Sequence, residues 1–251
     1  MDEAARRGLS VRAAARAAGL DGSQLCRALK GSYAGDEAMI EAKCLRALDA
    51  LAGPEVIATS VVSGCRQVCA AAFAAREMGM VWGPTQCGKT TALEQCCREN
   101  GAYRMFRFPA TAGTSALAEE IANAYGVAAS GAGFRENRRR IMEAARDTLL
   151  IADEVHEAFV AHGHGAAVRE LEFIREIHDR SGCGVVLCGT DAMPRNFGHG
   201  QFAPVLRQTL ERGLVRKAFG GRPAWRDVLA AAKHHGIAET LDEAATKQWQ
   251  S

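Results

Sequence analysis

The fold of this chain is decided by one stretch, Gly83-Pro84-Thr85-Gln86-Cys87-Gly88-Lys89-Thr90, which fits the pattern G-x-x-x-x-G-K-T. The two glycines permit a tight loop whose backbone N–H groups point inward, and such a loop cradles the oxygens of a polyphosphate. Lys89 is placed to reach the β- and γ-phosphates, and the Thr90 hydroxyl is placed to bind Mg²⁺. The stretch therefore predicts a phosphate-binding loop.

The residues on either side of this loop supply the context that the motif requires. Met78–Trp82 predicts a short buried strand before the loop, and residues 91–97 predict a helix after it. The N-terminus of that helix presents its positive end to an anion. We expect a nucleotide to be held by nine consecutive residues: Gly83, Pro84, Thr85, Gln86, Cys87, Gly88, Lys89, Thr90 and Thr91.

Short apolar runs alternate with helical patterns between Val61 and Ala218. The runs are Met78–Trp82, Tyr103–Phe108, Thr148–Ala152, Gly184–Cys188 and Leu214–Ala218. This alternation predicts an α/β fold with a parallel sheet flanked by helices, in which each run is a uniformly buried strand. We expect this core over residues 61–219, a small all-α module over residues 1–60 and a short helical C-terminal lid over residues 220–251.

Two adjacent carboxylates, Asp153 and Glu154, follow the apolar run that ends at Ala152. Acids at the carboxyl end of a parallel strand face the ligand crevice. Asp153 is the expected partner of Mg²⁺ together with Thr90, and Glu154 is the expected base that polarises the attacking water. This pair favours hydrolysis of a nucleoside triphosphate over phosphoryl transfer, and a kinase fits poorly because no acceptor-binding cluster accompanies the loop.

Residues after the Asp-Glu pair complete the predicted catalytic set. Thr190 ends the next strand and is expected to hold the attacking water or to sense the γ-phosphate. An arginine finger, which is worth roughly 10³–10⁵ in rate, is expected at Arg212, with Arg207 as the alternative. If a neighbouring subunit presents this arginine, oligomerisation controls activity.

Two short helices are predicted in the N-terminal module, Val11–Ala18 and Gln24–Lys30, with a turn at Gly19 between them. Their spacing is typical of a helix-turn-helix unit. Its second helix is expected to present to DNA the residues Ser23, Gln24, Arg27 and Lys30. A docking module for a protein partner is the alternative interpretation, because the segment carries as many acidic as basic residues.

Composition narrows the class of protein. The chain has 251 residues, 48% of them hydrophobic, and a formal net charge of only +2, so any DNA contact must come from local basic clusters. Its nine cysteines lie mostly in apolar stretches without C-x-x-C spacing and are expected to be reduced core residues.

The histidines at 156, 162, 164 and 178 are expected on the surface, without a metal. No apolar run reaches the length of a membrane span, and we expect a location in the bacterial cytosol.

These motifs resemble the AAA+ ATPases of DNA transposition, the family of the bacteriophage Mu B target-selection protein. The resemblance covers about residues 8–240. It rests on the N-terminal unit joined to the phosphate loop and the Asp153-Glu154 pair, and above all on the stretch Ile174–Asp179 leading to Val185–Thr190. The family's lid would carry a second sensor arginine, whereas this sequence ends at Ser251, so the lid is expected to be reduced.

The resemblance implies an ATPase that uses ATP and Mg²⁺ and binds duplex DNA with little sequence preference. It further implies that the protein assembles on DNA as a homo-oligomer, a helical filament or ring, and hands that DNA to a transposase. Two basic tracts are candidates for phosphate contacts, Arg138–Arg140 and the residues Arg207, Arg212, Arg216, Lys217, Arg222 and Arg226. An ATP-regulated transcription factor and an adaptor of the helicase-loader type remain alternatives.

Overall fold

The structure is a computed structural model that describes residues 20–30, 32, 35–36, 39–40, 43, 56–109, 113–162, 164–198 and 213–235. The chain divides into two compact units, Met1–Val56 with Arg98–Gly101 and Ile57–Cys97 with Ala102–Ser251. The predicted helix Val11–Ala18 and the turn at Gly19 lie outside the described residues.

The first unit contributes one described helix, α1 (Gly22–Leu29). It begins two residues before the predicted start at Gln24. The reason is Asp21, whose carboxylate accepts a hydrogen bond from the Ser23 backbone N–H at 2.8 Å and so caps the first turn. The same capping lowers the pKa of Asp21, chiefly through its hydrogen bonds from Ser23.

The second unit is a three-layer α/β structure. In chain order its elements are α2 (Ser60–Ala75), β1 (Met78–Trp82), α3 (Lys89–Glu99), β2 (Tyr103–Arg107), α4 (Thr114–Ala124), α5 (Phe134–Ala144), β3 (Leu149–Asp153), α6 (Glu157–His162), α7 (His164–Ser181), β4 (Gly184–Gly189), α8 (Ala192–Gly198), β5 (Gly213–Ala218) and α9 (Trp225–His234). All strand pairs are parallel, in the order β2-β3-β4-β1-β5. The predicted α/β class and parallel sheet are confirmed, with strand bounds within one residue of those predicted.

Alternating strand residues face two different helical layers. Met80, Leu150 and Leu187 belong to a buried cluster with residues of α4, α5 and α7. Helix α2 packs on the opposite face against β1, β4 and β5. The approach is so close that a Cβ at Gly184 would lie 2.6 Å from the Ala72 carbonyl oxygen. Because helices cover both faces, the central strands are almost wholly apolar.

Strand β5 corrects one part of the prediction. It was expected to be uniformly buried, but Arg216, Lys217 and Ala218 are exposed. The reason is its place in the sheet, because β5 pairs only with β1 among the described strands and so forms an edge.

The segment after β5 is joined to the start of α2. The helix predicted within Pro223–Gly236 spans Trp225–His234, and its buried Asp227 accepts hydrogen bonds from the backbone N–H of Ser60, at 2.8 Å, and from the Ser60 hydroxyl. A carboxylate at a helix N-terminus satisfies free N–H groups and interacts favourably with the helix dipole. None of the described helices has both the length and the apolarity needed to cross a membrane.

Candidate nucleotide-binding site

The phosphate loop lies between the end of β1 and the start of α3. Gly83 must be a glycine, because a Cβ there would lie 2.9 Å from the Phe219 Cβ and 3.0 Å from the Phe219 carbonyl oxygen. Phe219 is fixed at this point by its N–H, which donates to the Trp82 carbonyl at 2.9 Å. Gly88 has φ +90° and Gln86 has φ 64°, so the loop bends through left-handed backbone conformations that favour glycine.

Lys89 begins α3 and folds back over the loop. Its ammonium group donates to the carbonyls of Gly83, at 3.0 Å, and Pro84, at 2.7 Å, and lies 3.6 Å from the Cys87 sulfur. The residue is 8% exposed. The buried Lys89 ammonium group is therefore hydrogen-bonded to neutral carbonyl oxygens of its own loop. A phosphate that enters the loop would supply the negative charge that a buried cation requires.

Thr90 and Asp153 bring the loop and the sheet together. The Thr90 hydroxyl donates to the Asp153 carboxylate at 2.8 Å, and Asp153, the last residue of β3, is 2% exposed. These hard oxygen donors suit Mg²⁺, which takes one or two protein ligands and completes its shell with water and phosphate oxygens. Within the part of the chain that the structure describes, no cluster of three or more His, Cys, Asp or Glu residues could hold a metal ion.

Glu154 follows β3 in a left-handed conformation with φ 56°, which is unusual for a residue with a side chain. Its two carboxylate oxygens have different neighbours: Oε1 lies 3.9 Å from Nη2 of Arg107, and Oε2 lies 3.1 Å from Nδ1 of His156. Strained backbone of this kind is concentrated at functional sites.

A cavity of about 320 Å³ lies between these groups. Its lining comprises Thr85, Gln86, Gly88, Lys89, Thr90, Thr91, Glu154 and Thr190. The structure thus places Glu154 and Thr190 beside the same cavity as the phosphate loop, with Asp153 hydrogen-bonded to Thr90 at its wall. This arrangement can bind a polyphosphate on backbone N–H groups and present a carboxylate to the bound group.

Cysteines lie beneath the loop in the same unit. Cys65, Cys69 and Cys96 are buried, and burial raises the pKa of the Cys65 thiol to about 12. The Cys69 thiol has a raised pKa because it is hydrogen-bonded to Cys96 and buried. The described cysteines are free thiols, and these three are core residues as predicted, whereas Cys26 is exposed.

Sequence reasoning misplaced two histidines. His156 was expected on the surface, but its side chain is only 16% exposed and touches Glu154. His178 was expected there too, but it is partly buried and its Nδ1 lies 2.8 Å from the Cys183 carbonyl oxygen. Arg107 also escaped notice, because its closeness to Glu154 depends on the pairing of β2 with β3, in which Arg107 lies opposite Asp153.

Other predicted residues are not part of the lining of this cavity as the structure describes it. Arg207 and Arg212, the finger candidates, are outside the described residues. On α1 the side chains of Ser23, Arg27 and Lys30 are exposed and Gln24 is partly buried. Arg27 donates to the Ser23 carbonyl at 3.3 Å, so this helix orders one of its own basic side chains.

Comparison with known protein families finds one match. Residues 74–196 match the family model described as AAA domain. The match supports a P-loop ATPase of the AAA type, and domains of this family are generally ATPases that bind nucleotide with Mg²⁺. No curated protein matches the chain.

Proposed function

We propose that this chain hydrolyses ATP, binds duplex DNA when ATP is bound, and assembles on that DNA to deliver it to a transposase. One observation carries the hydrolysis: Glu154 and Thr190 lie beside the cavity that the phosphate loop forms, with Asp153 bonded to Thr90 at 2.8 Å. A phosphate bound in that loop would lie next to a carboxylate that can accept a proton from water.

Each group has a separate task in this proposal. The loop N–H groups and the Lys89 ammonium bind the phosphates. Lys89 then donates its hydrogen bonds to phosphate oxygens instead of to the carbonyls of Gly83 and Pro84. Thr90 and Asp153 would hold Mg²⁺, and the ion would neutralise negative charge on the phosphates. Glu154 accepts the proton of the attacking water, and the Thr190 hydroxyl orients that water or the γ-phosphate.

The edge of the sheet supports DNA binding. Arg216 and Lys217 on β5 are exposed, and so are Arg222 and Arg226 just after it. The nearby acid Asp227 is buried and hydrogen-bonded to Ser60, and its Oδ1 also lies 3.8 Å from Nε of Arg226. Exposed cations at the edge of the sheet and just after it suit the phosphates of a duplex, whose binding releases counterions.

The tract Arg138–Arg140 gives less support. Arg138 donates to Glu176, while Arg139 and Arg140 donate to Glu136. Side chains that are already paired with carboxylates would have to exchange those partners for phosphates. We propose DNA contacts by the exposed basic side chains at β5 and just after it and, separately, by those of α1.

Transposition and assembly rest on the family resemblance. Within the stretch Ile174–Asp179, which carries much of it, Ile174 and Ile177 are fully buried in the core. If a neighbouring subunit supplies the arginine finger, hydrolysis would depend on assembly, because each active site would be complete only beside another subunit.

Electron microscopy with a long duplex tests the proposal. Wild-type protein should form DNA-bound assemblies with a slowly hydrolysed ATP analogue and not without nucleotide. Glu154→Gln should keep such assemblies in ATP itself, because the bound nucleotide is not consumed, whereas Lys89→Ala should form none. Tight binding to one sequence without assembly would instead indicate a transcription regulator, and no DNA affinity in any nucleotide state would indicate an adaptor of proteins.

A further inference from the structure

We infer that His156 is a positioning residue for the hydrolytic carboxylate: through Nδ1 it fixes Oε2 of Glu154, which leaves Oε1 to accept the proton of the attacking water. This inference rests on the proposed hydrolysis and adds to it a residue outside the phosphate loop and the Asp-Glu pair. It is carried by the geometry of the turn between β3 and α6.

The turn itself is rigidly held. The Val155 N–H donates to the Cys188 carbonyl of β4 at 2.9 Å, and Val155 and Ala158 are fully buried. The N–H of Phe159 donates to the His156 carbonyl at 3.1 Å, and that of Glu157 to the Glu154 carbonyl at 2.9 Å. The backbone on both sides of His156 is therefore fixed against the sheet, which keeps the imidazole close to the Glu154 side chain.

The imidazole lies between two carboxylates at different distances. Nδ1 is 3.1 Å from Oε2 of Glu154, and Nε2 is 3.7 Å from Oε1 of Glu157. Nδ1 is buried and, among the described residues, has no well-aligned hydrogen bond. Because a buried ring nitrogen is costly without a partner, the nearest carboxylate oxygen is the group that a small rotation would bring into alignment.

The other oxygen of Glu154 is held more weakly. Oε1 lies 3.9 Å from Arg107, whose side chain is 74% exposed, so solvent screens that attraction. One oxygen thus has a partly buried donor beside it, and the other has a distant, hydrated cation. A base held by one oxygen and open at the other is oriented for proton transfer, and a misplacement of about 1 Å can cost 10²-fold in rate.

Side-chain chemistry offers a matched test of which ring nitrogen matters. In His156→Asn the amide nitrogen can occupy the place of Nδ1, and in His156→Gln it can occupy the place of Nε2. Glu157→Gln serves as the control, because it changes the partner of Nε2 and leaves the contact with Glu154 intact. The readouts are kcat and KM for ATP with Mg²⁺, together with ATP affinity measured by calorimetry.

We expect His156→Gln and His156→Ala to lower kcat roughly 10–100-fold with KM and ATP affinity within about twofold of wild type. His156→Asn should keep most of the wild-type kcat, as should Glu157→Gln. Equal rates in the Asn and Gln variants, or a change in KM rather than kcat, would overturn the inference. The Asn and Gln variants preserve this comparison if the Ala variant does not fold.

The failure of the proposed hydrolysis gives a different result. If wild-type protein hydrolyses ATP no faster than Lys89→Ala, the proposed function is wrong and the role of His156 falls with it. If wild type is active and every His156 variant is equally active, hydrolysis stands and only the positioning role is refuted.

Discussion

Thr90 is the residue whose side chain joins the phosphate loop to the acidic end of the sheet. Its hydroxyl donates to a carboxylate that is 2% exposed, so it satisfies a buried charge when no nucleotide is bound. The same oxygen is the expected ligand of Mg²⁺. Thr90 therefore contributes both to the stability of the empty site and to the binding of metal with nucleotide.

Replacing Thr90 separates these two contributions. Thr90→Val keeps the shape but removes the hydrogen bond from Thr90 to the buried Asp153 carboxylate, which should lower the free energy of unfolding by about 1–3 kcal/mol. It should also abolish the gain in ATP affinity that Mg²⁺ provides, while Thr90→Ser retains both properties. Urea unfolding and nucleotide titrations with and without Mg²⁺ measure the two effects. Unchanged Mg²⁺ dependence in the Val variant would remove Thr90 from the metal site.

At the scale of single residues, the sequence allowed a prediction where neighbouring residues form one motif. The loop residues, Asp153 and Glu154 follow from a spacing pattern that has a direct physical reason, and their roles stay predictions. His156 could not be assigned in the same way, because its contact with Glu154 depends on a left-handed backbone at Glu154 and on the anchoring of Val155 to β4. Neither feature has a sequence signal.

At the scale of elements, helix α5 shows that the arginines of a basic tract can form ion pairs within the protein. Arg139 and Arg140 lie three and four residues after Glu136, and their hydrogen bonds lower the pKa of Glu136 to about 2. Arg138 reaches across to Glu176 of α7 and lowers its pKa. The helix thus uses its arginines to order its own surface and to join its neighbour.

This pairing predicts a pH dependence with a definite sign. Because the pKa of Glu136 is lower in the folded protein than its ordinary value of 4.5, its stabilising contribution is present above about pH 4.5 and is lost as pH falls toward 2. Glu136→Gln should therefore lower Tm slightly at pH 7 and leave the difference from wild type near zero at about pH 2. A difference that persists at acid pH would mean that shape or packing, rather than charge, is responsible.

Element types were largely predictable, and their surroundings were not. The apolar runs of the core gave strands within a residue of their bounds because buried parallel strands are apolar on both faces. The exposure of β5 depends on the order of strands in the sheet, which no local pattern contains. In the same way, the spacing of Glu136 with Arg139 and Arg140 fits helical ion pairs as well as it fits phosphate contacts.

For the whole molecule, the sequence identified a nucleotide-binding α/β core, and the family match to residues 74–196 agrees with it. The partners could not be predicted from residue patterns in the same way, because a transposase or a second subunit recognises a surface that is defined only in the complex. The basic edge at β5 and the exposed side chains of α1 are the surfaces of this chain that we propose for DNA. All of these proposals require that the chain first bind ATP.

Isothermal titration calorimetry of folded wild-type protein with ATP and Mg²⁺ tests that requirement most directly, with Lys89→Ala as the matched control. We expect saturable binding by the wild type. We expect none by Lys89→Ala. The Lys89 ammonium group, which donates to the carbonyls of Gly83 and Pro84 in the empty loop, is the positive charge that would bind the phosphates in their place. Heat of binding in both proteins would place the nucleotide elsewhere, and no heat in either would contradict the account.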